Sequence, residues 1–408
     1  MSSGTVVAFA GHMIDAPDRP RRRFPASHEA PVAAAIAREL ERLDARVGVS
    51  ALASGADILF AEAMLARGGE MHVDLPINIE EFLETSVRAA DGASWEDRFH
   101  ALRARAAGFE VHGDDYFRSS GAPFQLTALL IDGHAQMLAQ ERRLRPVTLA
   151  VWDGFAGDGL GGTASFVGHA VAQRREVYAI DPATSICRAP GPDAIAAAQK
   201  HSWRTMRVSD VELRHQLAAF LFADAKGFGG LRETQVPAFA RAVLGVVRAA
   251  LQPPAPVLAV NSWGDGLFVV AALPSEAAGI ALSLVERAGA INWKAEGLPG
   301  RVTFRVGLHA GPAFITDVDP IIRRPNAFGR DVSLAARIEP ITQPGEVWCS
   351  RAFALLAEAT GRAGLRFRDL GRVELAKDAG AMPLYAVTRA GETSARGAPI
   401  GPPSIKPA

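Results

Sequence analysis

Unbroken apolar runs alternate with helical periodicity through the first half of the chain. Thr5 to Ala10 (TVVAFA) reads as a buried strand ending at Gly11, and Ala30 to Leu43 places Ile36, Leu40 and Leu43 on one helical face. Ala56 to Leu65 predicts a second helix, opened by Ser54-Gly55, and Met71 to Leu75 a strand stopped by Pro76. Gln125 to Arg142 reads as a long helix. Pro146 to Trp152 is a strand that runs into a glycine-rich loop, a helix over Ala164 to Gln173 and a strand over Glu176 to Ile180. Strands and helices that alternate in this way predict a parallel α/β sheet.

The pattern changes after about Asp181. Pro182, Pro190 and Pro192 flank an alanine-rich stretch, so 182–204 reads as a linker between a domain over 1–181 and another over 205–390. The second half opens with a strand over Leu217 to Asp224, followed by a helix. Next comes a hairpin whose turn holds Gly264-Asp265 and whose return strand is Leu267 to Ala272. Arg301 to His309 alternates as a strand should, Asp331 to Ile338 is helical, Glu346 to Ser350 is extended, and Phe367 to Tyr385 carries two more strand-like segments. This half predicts an α+β arrangement with antiparallel strands. The stretch 391–408 is rich in Gly, Pro and Ser and reads as a disordered tail.

Composition adds bounds. The chain has 408 residues, which suits two or three domains of roughly 150 residues each. It carries 44 Lys+Arg against 44 Asp+Glu, so net charge gives no sign of a nucleic-acid partner or an anionic membrane. Cys187 and Cys349 stand in unrelated contexts, which argues against a disulfide framework or a zinc site and fits a reducing cytoplasm. The expectation is a cytoplasmic protein without a signal peptide or a membrane span.

The candidate chemistry is concentrated in FLFADAKGFGGL (Phe220 to Leu231) and NSWGDGLFVV (Asn261 to Val270). Asp224 lies where an apolar strand ends, and Asp265 lies in a tight hairpin turn. Either aspartate alone reads as a turn residue or a cap. If the two strands are neighbours, their carboxylates meet at one sheet edge, where two hard oxygen ligands suit Mg²⁺ or Mn²⁺ with phosphate oxygens completing the shell. The amides of Lys226, Gly227, Phe228 and Gly229 would then offer an anion site at a helix start.

These segments resemble the catalytic domain of the class III nucleotidyl (adenylate and guanylate) cyclases, over roughly Arg204 to Arg389. FLFADAKGF and WGDGLFVV match the two metal-aspartate motifs, RVGLHAGP (Arg305 to Pro312) the central strand, and NAFGRDVSLAARIE (Asn326 to Glu339) the segment that leads into the arginine helix. The resemblance implies a ferredoxin-like α+β domain that converts a nucleoside triphosphate to a 3′,5′-cyclic nucleotide and pyrophosphate, with two metal ions per active site. By the same resemblance Asp224 and Asp265 hold the metals and Arg337 stabilises charge on the phosphoryl oxygens, a role suited to a planar, permanently charged guanidinium. Lys377 is the candidate second triphosphate contact. The active site is shared between two catalytic domains, so a single such domain implies a homodimer.

Three positions depart from the adenylate pattern. Asn261 and Asn326 stand where the family carries an adenine-reading lysine and an aspartate or threonine, and Ser333 stands where it carries an asparagine. Carboxamides both donate and accept, so the base is left open among adenine, guanine and a pyrimidine. The pyrimidine case would be a cyclic UMP or cyclic CMP cyclase of an antiphage system. A silent nucleotide-binding sensor and dimerisation module is the alternative from another class.

In the first half, Gly11-His12-Met13, Ser54-Gly55-Ala56-Asp57 and the loop from Asp153 through Gly161-Gly162-Thr163 follow strands, where open parallel sheets bind ligands. WDGFAGDGLGGTASF and ASGADILFAEAML resemble the Rossmann-like sensor group that includes the DprA and lysine-decarboxylase-like proteins (SLOG). This implies a nucleotide-related ligand. The glutamate that enzymes of the group carry after the Gly-Thr pair is replaced by Ala164-Ser165-Phe166, so sensing is preferred to hydrolysis. Arg19, Arg21, Arg22 and Arg23 read as a solvated loop in preference to a phosphate clamp or a nucleic-acid contact, His12 as a surface or capping residue or a ligand contact, and His309 as structural.

Overall fold

The computed structural model describes residues 4–88, 94–114, 120–157, 159–198, 204–208, 210–227, 230–252, 257–298, 300, 302–361 and 364–391. Two sheets organise the chain. The first is built from β1 (Thr5–Gly11), β2 (Ala45–Ser50), β3 (Glu70–Leu75), β4 (Gly108–Val111), β5 (Arg145–Val151), β6 (Val177–Ile180) and β7 (Cys187–Arg188). Its order is β4-β3-β2-β1-β5-β6-β7, parallel throughout except for the β6–β7 pair. The chain builds outward from β1 to β4 and then returns to add β5 on the other side of β1. That reversal opens a crevice at the carboxyl ends of β1 and β5.

Its helices are α1 (Glu29–Arg42), α2 (Ala56–Ala66), the single turn α3 (Ile79–Phe82), α4 (Trp95–Arg105), α5 (Ala122–Arg142), α6 (Thr163–Ala172) and α7 (Asp193–Ala198). The predicted strands and the long helix are present. Within the 182–204 stretch read as linker, β7 hydrogen-bonds to β6 and Asp193–Ala198 is helical, so part of it extends the first sheet. Two-residue β7 is too short to show a periodicity, which is why sequence reading passes over it. The predicted tail lies outside the described residues from 392 onward.

The second sheet holds β8 (Arg204–Val208), β9 (Val211–Lys226), β10 (Val257–Trp263), β11 (Gly266–Ala271), β12 (Thr303–Thr316), β13 (Asn326–Phe328), β14 (Val347–Ser350), β15 (Leu365–Glu374) and β16 (Ala381–Arg389). Its order is β10-β11-β9-β12-β14-β16-β15, with β13 on β12 and β8 on β9, and every pair is antiparallel except β12–β14. Strand alternation assigns two faces. Ala219, Leu221, Ala223 and Ala225 of β9 join Phe304, Val306, Leu308 and Ala310 of β12 in one core. Helices α8 (Val236–Ala250) and α9 (Pro274–Ala290) cover it; α8 buries Phe239, Val243, Val246 and Ala250, the spacing of a single helical stripe. On the opposite face lie α10 (Arg330–Ile338) and residues such as Phe220, Val270 and Ala335. Helix α11 (Arg351–Thr360) follows β14.

Helix α5 belongs to both cores. Leu126, Leu130 and Met137 pack into the core of the second sheet, while Ile131, Ala135, Leu138 and Ala139 pack against β1 and β2 of the first. Apolar residues on two faces bury the helix on two sides. Near its midpoint, Gly133 lies so close to the Leu355 carbonyl of α11 that any side chain there would collide with it. Among the described residues no helix is long and apolar enough to cross a membrane.

Candidate active site and a second cleft

Asp224 occupies the α10 face near the end of β9, opposite Gly266 on β11 and Arg305 on β12. Asp265 precedes Gly266 in the turn, its carbonyl accepting from the Ala225 N–H at 3.1 Å. Gly264 permits that turn, with φ of +61°. The hairpin and the end of β9 therefore bring both aspartates to one sheet edge. Arg305 Nη2 donates to Asp224 Oδ2 at 3.0 Å and Lys226 Nζ lies 3.4 Å from the same oxygen. Arg305 Nε also stands 2.5 Å from Glu339 Oε1, and burial lifts the Glu339 carboxyl above its usual range despite this neighbour. Asp265 is half-buried and has no cation partner among the described residues. Two carboxylates at one sheet edge, one without a cation partner among the described residues and the other beside Arg305 and Lys226, make a donor set that fits a divalent metal.

The RVGLHAGP motif forms a seat for α10. Every second residue of β12 from Arg305 faces that helix. Arg305 reaches Glu339, Gly307 leaves room for the Glu339 backbone, His309 Nε2 meets Asp331 Oδ1 at 3.0 Å, and Gly311 leaves room for the Asp331 side chain. His309 Nδ1 also bonds Ser350 Oγ at 2.6 Å, consistent with the structural reading of this histidine. Arg337 is half-buried on α10 with no polar partner among the described residues, and Ser333 Oγ donates back to the Gly329 carbonyl at 3.3 Å. No hydrogen bond or ion pair joins Arg337 or Ser333 to the two aspartates among the described residues.

Asn261 and Asn326 meet, with Asn261 Nδ2 donating to Asn326 Oδ1 at 3.4 Å and Asn326 Nδ2 donating to Asp319 Oδ2 at 2.9 Å. The Asn326 amide and the backbone N–H groups of Ile321 and Ile322 hold the Asp319 carboxyl below its usual range. Lys377 is exposed in a turn with φ of +59°. Gly227 is exposed, with φ of +119°, and Phe228 and Gly229 lie outside the described residues. Arg305 and Glu339 escape assignment in the sequence, although both fall inside the quoted motifs. The available signal was a single arginine within the apolar run of β12 and a glutamate directly after the last residue of α10.

A second cleft, of about 290 Å³, lies at the reversal point of the first sheet. Its wall includes Asp57, whose carboxylate accepts from the Gly11 N–H at 3.0 Å and the Ala53 N–H at 3.4 Å; burial pushes this carboxyl up to about 7. Thr127 of α5 also lines it, with a buried hydroxyl that has no hydrogen-bond partner among the described residues. The glycine loop lines one part of the cleft and leads into α6, whose first turn has no side-chain cap. Gly161, at φ of +80°, rests on the first turn of α5 where a Cβ would strike the Phe124 and Gln125 backbone. His12 accepts from the Asp153 N–H at 3.1 Å, and Arg23 donates to the Ala156 carbonyl at 2.9 Å, so both brace this loop.

A buried polar chain joins the two sheets. Asp74 accepts from His112 and His134 at 2.8 Å each, and Arg351 Nη2 lies 2.8 Å from His134 Nε2. Arginine only donates, so His134 Nε2 accepts and its Nδ1 carries the proton that Asp74 receives. Burial alone would raise the Asp74 carboxyl, yet the two imidazoles hold it well below the usual range. Asp74, Glu110 and His112 offer ligand atoms within 4.8 Å of one another, but these atoms are engaged by the histidines and by Arg351, which stands 3.1 Å from Glu110.

Residues 211–389 match the family of adenylate and guanylate cyclase catalytic domains. Solved structures similar to this chain include the guanylate cyclase domain of RhGC from Catenaria anguillulae in complex with GTP (18% identity, 43% of this chain and 97% of that one, TM-score 0.37). Others are the adenylyl cyclase CyaB from P. aeruginosa (17%, 44% and 97%, 0.38) and adenylate cyclases from Trypanosoma brucei in their monomeric state (20%, 42% and 89%, 0.36). No curated protein sequence matches the chain.

Proposed function

We propose that this chain, whose residues 211–389 carry a cyclase-type catalytic domain, converts a nucleoside triphosphate to a 3′,5′-cyclic nucleotide and pyrophosphate at sites shared within a homodimer. The observation that carries this reading is the meeting of Asp224 and Asp265 at one edge of the sheet, in the segment that the family match covers. Asp224 and Asp265 would hold Mg²⁺ or Mn²⁺, which when bound would supply the charge that acidifies the ribose 3′-hydroxyl and screens the triphosphate.

In the reaction the 3′-oxygen forms a bond to the α-phosphorus, the bond from that phosphorus to the pyrophosphate oxygen breaks, and the hydroxyl proton leaves to solvent. Arg337, without a polar partner among the described residues, would be available to a second copy of the chain, where its guanidinium would stabilise charge on the phosphoryl oxygens. Ser333 would assist it as a hydrogen-bond donor. Lys226 to Gly229 and Lys377 would contact the triphosphate. Asn261 and Asn326 would read the base, with ATP, GTP or a pyrimidine triphosphate as the candidates. The first half would sense a nucleotide-related ligand in the cleft beside Asp57 and Thr127.

Incubation with Mn²⁺ and each ribonucleoside triphosphate, followed by detection of cyclic product and pyrophosphate, tests the reading. Product from at least one triphosphate, lost on Asp224→Ala and on Asp265→Ala, supports it. Triphosphate binding with no product from any of the four would favour the silent sensor.

A further inference from the structure

We infer that the cleft of the first half controls the arginine helix α10 through a shared wall, Pro76 and the first turn of α5. The inference rests on the reading of the first half as a sensor and the second as a cyclase. A cavity of about 340 Å³ lies between the two halves, lined on one side by Pro76, Pro123 and Leu126 and on the other by Gly329, Arg330 and Asp331. The cleft of the first sheet is lined by the same Pro76 and by Phe124 and Thr127 of the same helical turn. One thin wall thus has the cleft on one side and the start of α10 on the other.

That end of the wall touches both halves: Ser120, just before α5, accepts from the Ala122 N–H at 3.2 Å and bonds His215 Nδ1 of β9 at 2.5 Å. Gly133 pins the middle of α5 against the Leu355 carbonyl, whereas the first turn of α5 borders a cavity on each side. Gly161 of the glycine loop rests on that turn, so a ligand that displaces the loop also loads the helix. Across the cavity, Arg330 Nη2 reaches Asp114 Oδ2 at 2.7 Å, and the Asp114 carbonyl accepts from Asn78 Nδ2 at 2.7 Å. This pair ties the first residue of α10 to the first half. Both partners are well exposed, so the tie is weak and easily exchanged for water, as a two-state contact must be. Ser333 and Arg337 follow on the same nine-residue helix, so a change in its start changes their position.

The test fills the cleft without needing its ligand. Thr127→Cys is made in a Cys187→Ser background, Cys349 being buried, and is labelled with sulfonatoethyl methanethiosulfonate, which places an anion in the cleft. Ala128→Cys serves if Thr127→Cys does not fold. Hydrogen exchange of residues 330–338 and turnover of a triphosphate with Mn²⁺ are then compared before and after labelling. The expected result is a change of about fivefold or more in exchange and in kcat at constant KM, lost when Asp114→Ala is added. Complete labelling with unchanged exchange in α10 overturns the inference, and so does a change that persists in Asp114→Ala. If no triphosphate is turned over, the catalytic reading fails, while the exchange measurement still decides the coupling.

Discussion

Gly133 of α5 lies with its bare Cα against the main-chain carbonyl of Leu355 in α11, so the helices of the two sheets meet backbone to backbone. An alanine at an ordinary mid-helix position gains about 1 kcal/mol over glycine. Here its methyl group would strike a carbonyl that cannot rotate away, and overpacking of this kind costs about 1–3 kcal/mol. Gly133→Ala should therefore destabilise, with Gly133→Val worse. Denaturant unfolding followed by probes in each half checks this; equal or higher stability in both variants would mean the helices part freely.

The shared-site reading makes a mixing prediction. Asp224→Ala and Arg337→Ala should each be inactive alone. Mixed in equal amounts with free exchange of subunits, half the dimers would be heterodimers with one of two sites intact, restoring about a quarter of wild-type turnover. Pyrophosphate release measures this, and no recovery in a sample shown to contain heterodimers would place each site within one chain.

Asn261 and Asn326 touch each other, so under the proposed reading they would meet a base as a pair. Replacing them together with Lys and Asp should move selectivity toward ATP by about tenfold or more, since a mismatched hydrogen-bond edge leaves buried polar groups unpaired. Competition among the four triphosphates gives the ratios. Unchanged ratios would remove these positions from base reading.

Asp57 predicts a pH dependence of stability. Its carboxyl is pushed up to about 7 in the folded chain, above the unfolded value near 4, so the folded state holds a proton that the unfolded state has released. Stability should fall as pH rises from about 4 to about 7, by up to roughly 4 kcal/mol, and then level off. Asp57→Asn should remove this slope and be the more stable protein at pH 8, while at pH 4 the two should be close. Denaturant midpoints across that range decide it, and parallel curves for the two proteins would mean the carboxylate is ionised at little cost.

Local order carried much of this protein. Apolar runs marked β1, β3, β5 and β9, and the alternation of RVGLHAGP marked a strand because a pleated chain turns successive side chains to opposite faces. The two aspartates were legible because each ends or turns an apolar strand. The sequence by itself determined these elements, the residue types that can hold a metal or a phosphate, and their order along the chain.

Tertiary structure decided which of them meet. Arg305 and Asp224 are 81 residues apart, and Arg351 and His134 are 217 apart, so no periodicity links them. Their encounters depend on strand order and on helix α5 lying between two cores. The same holds for Thr127, an ordinary helical threonine in the sequence whose buried hydroxyl lines the cleft with no partner among the described residues. Short-range pattern fixes backbone conformation through sterics and burial, whereas pairing of distant polar groups is set by the packing of whole elements.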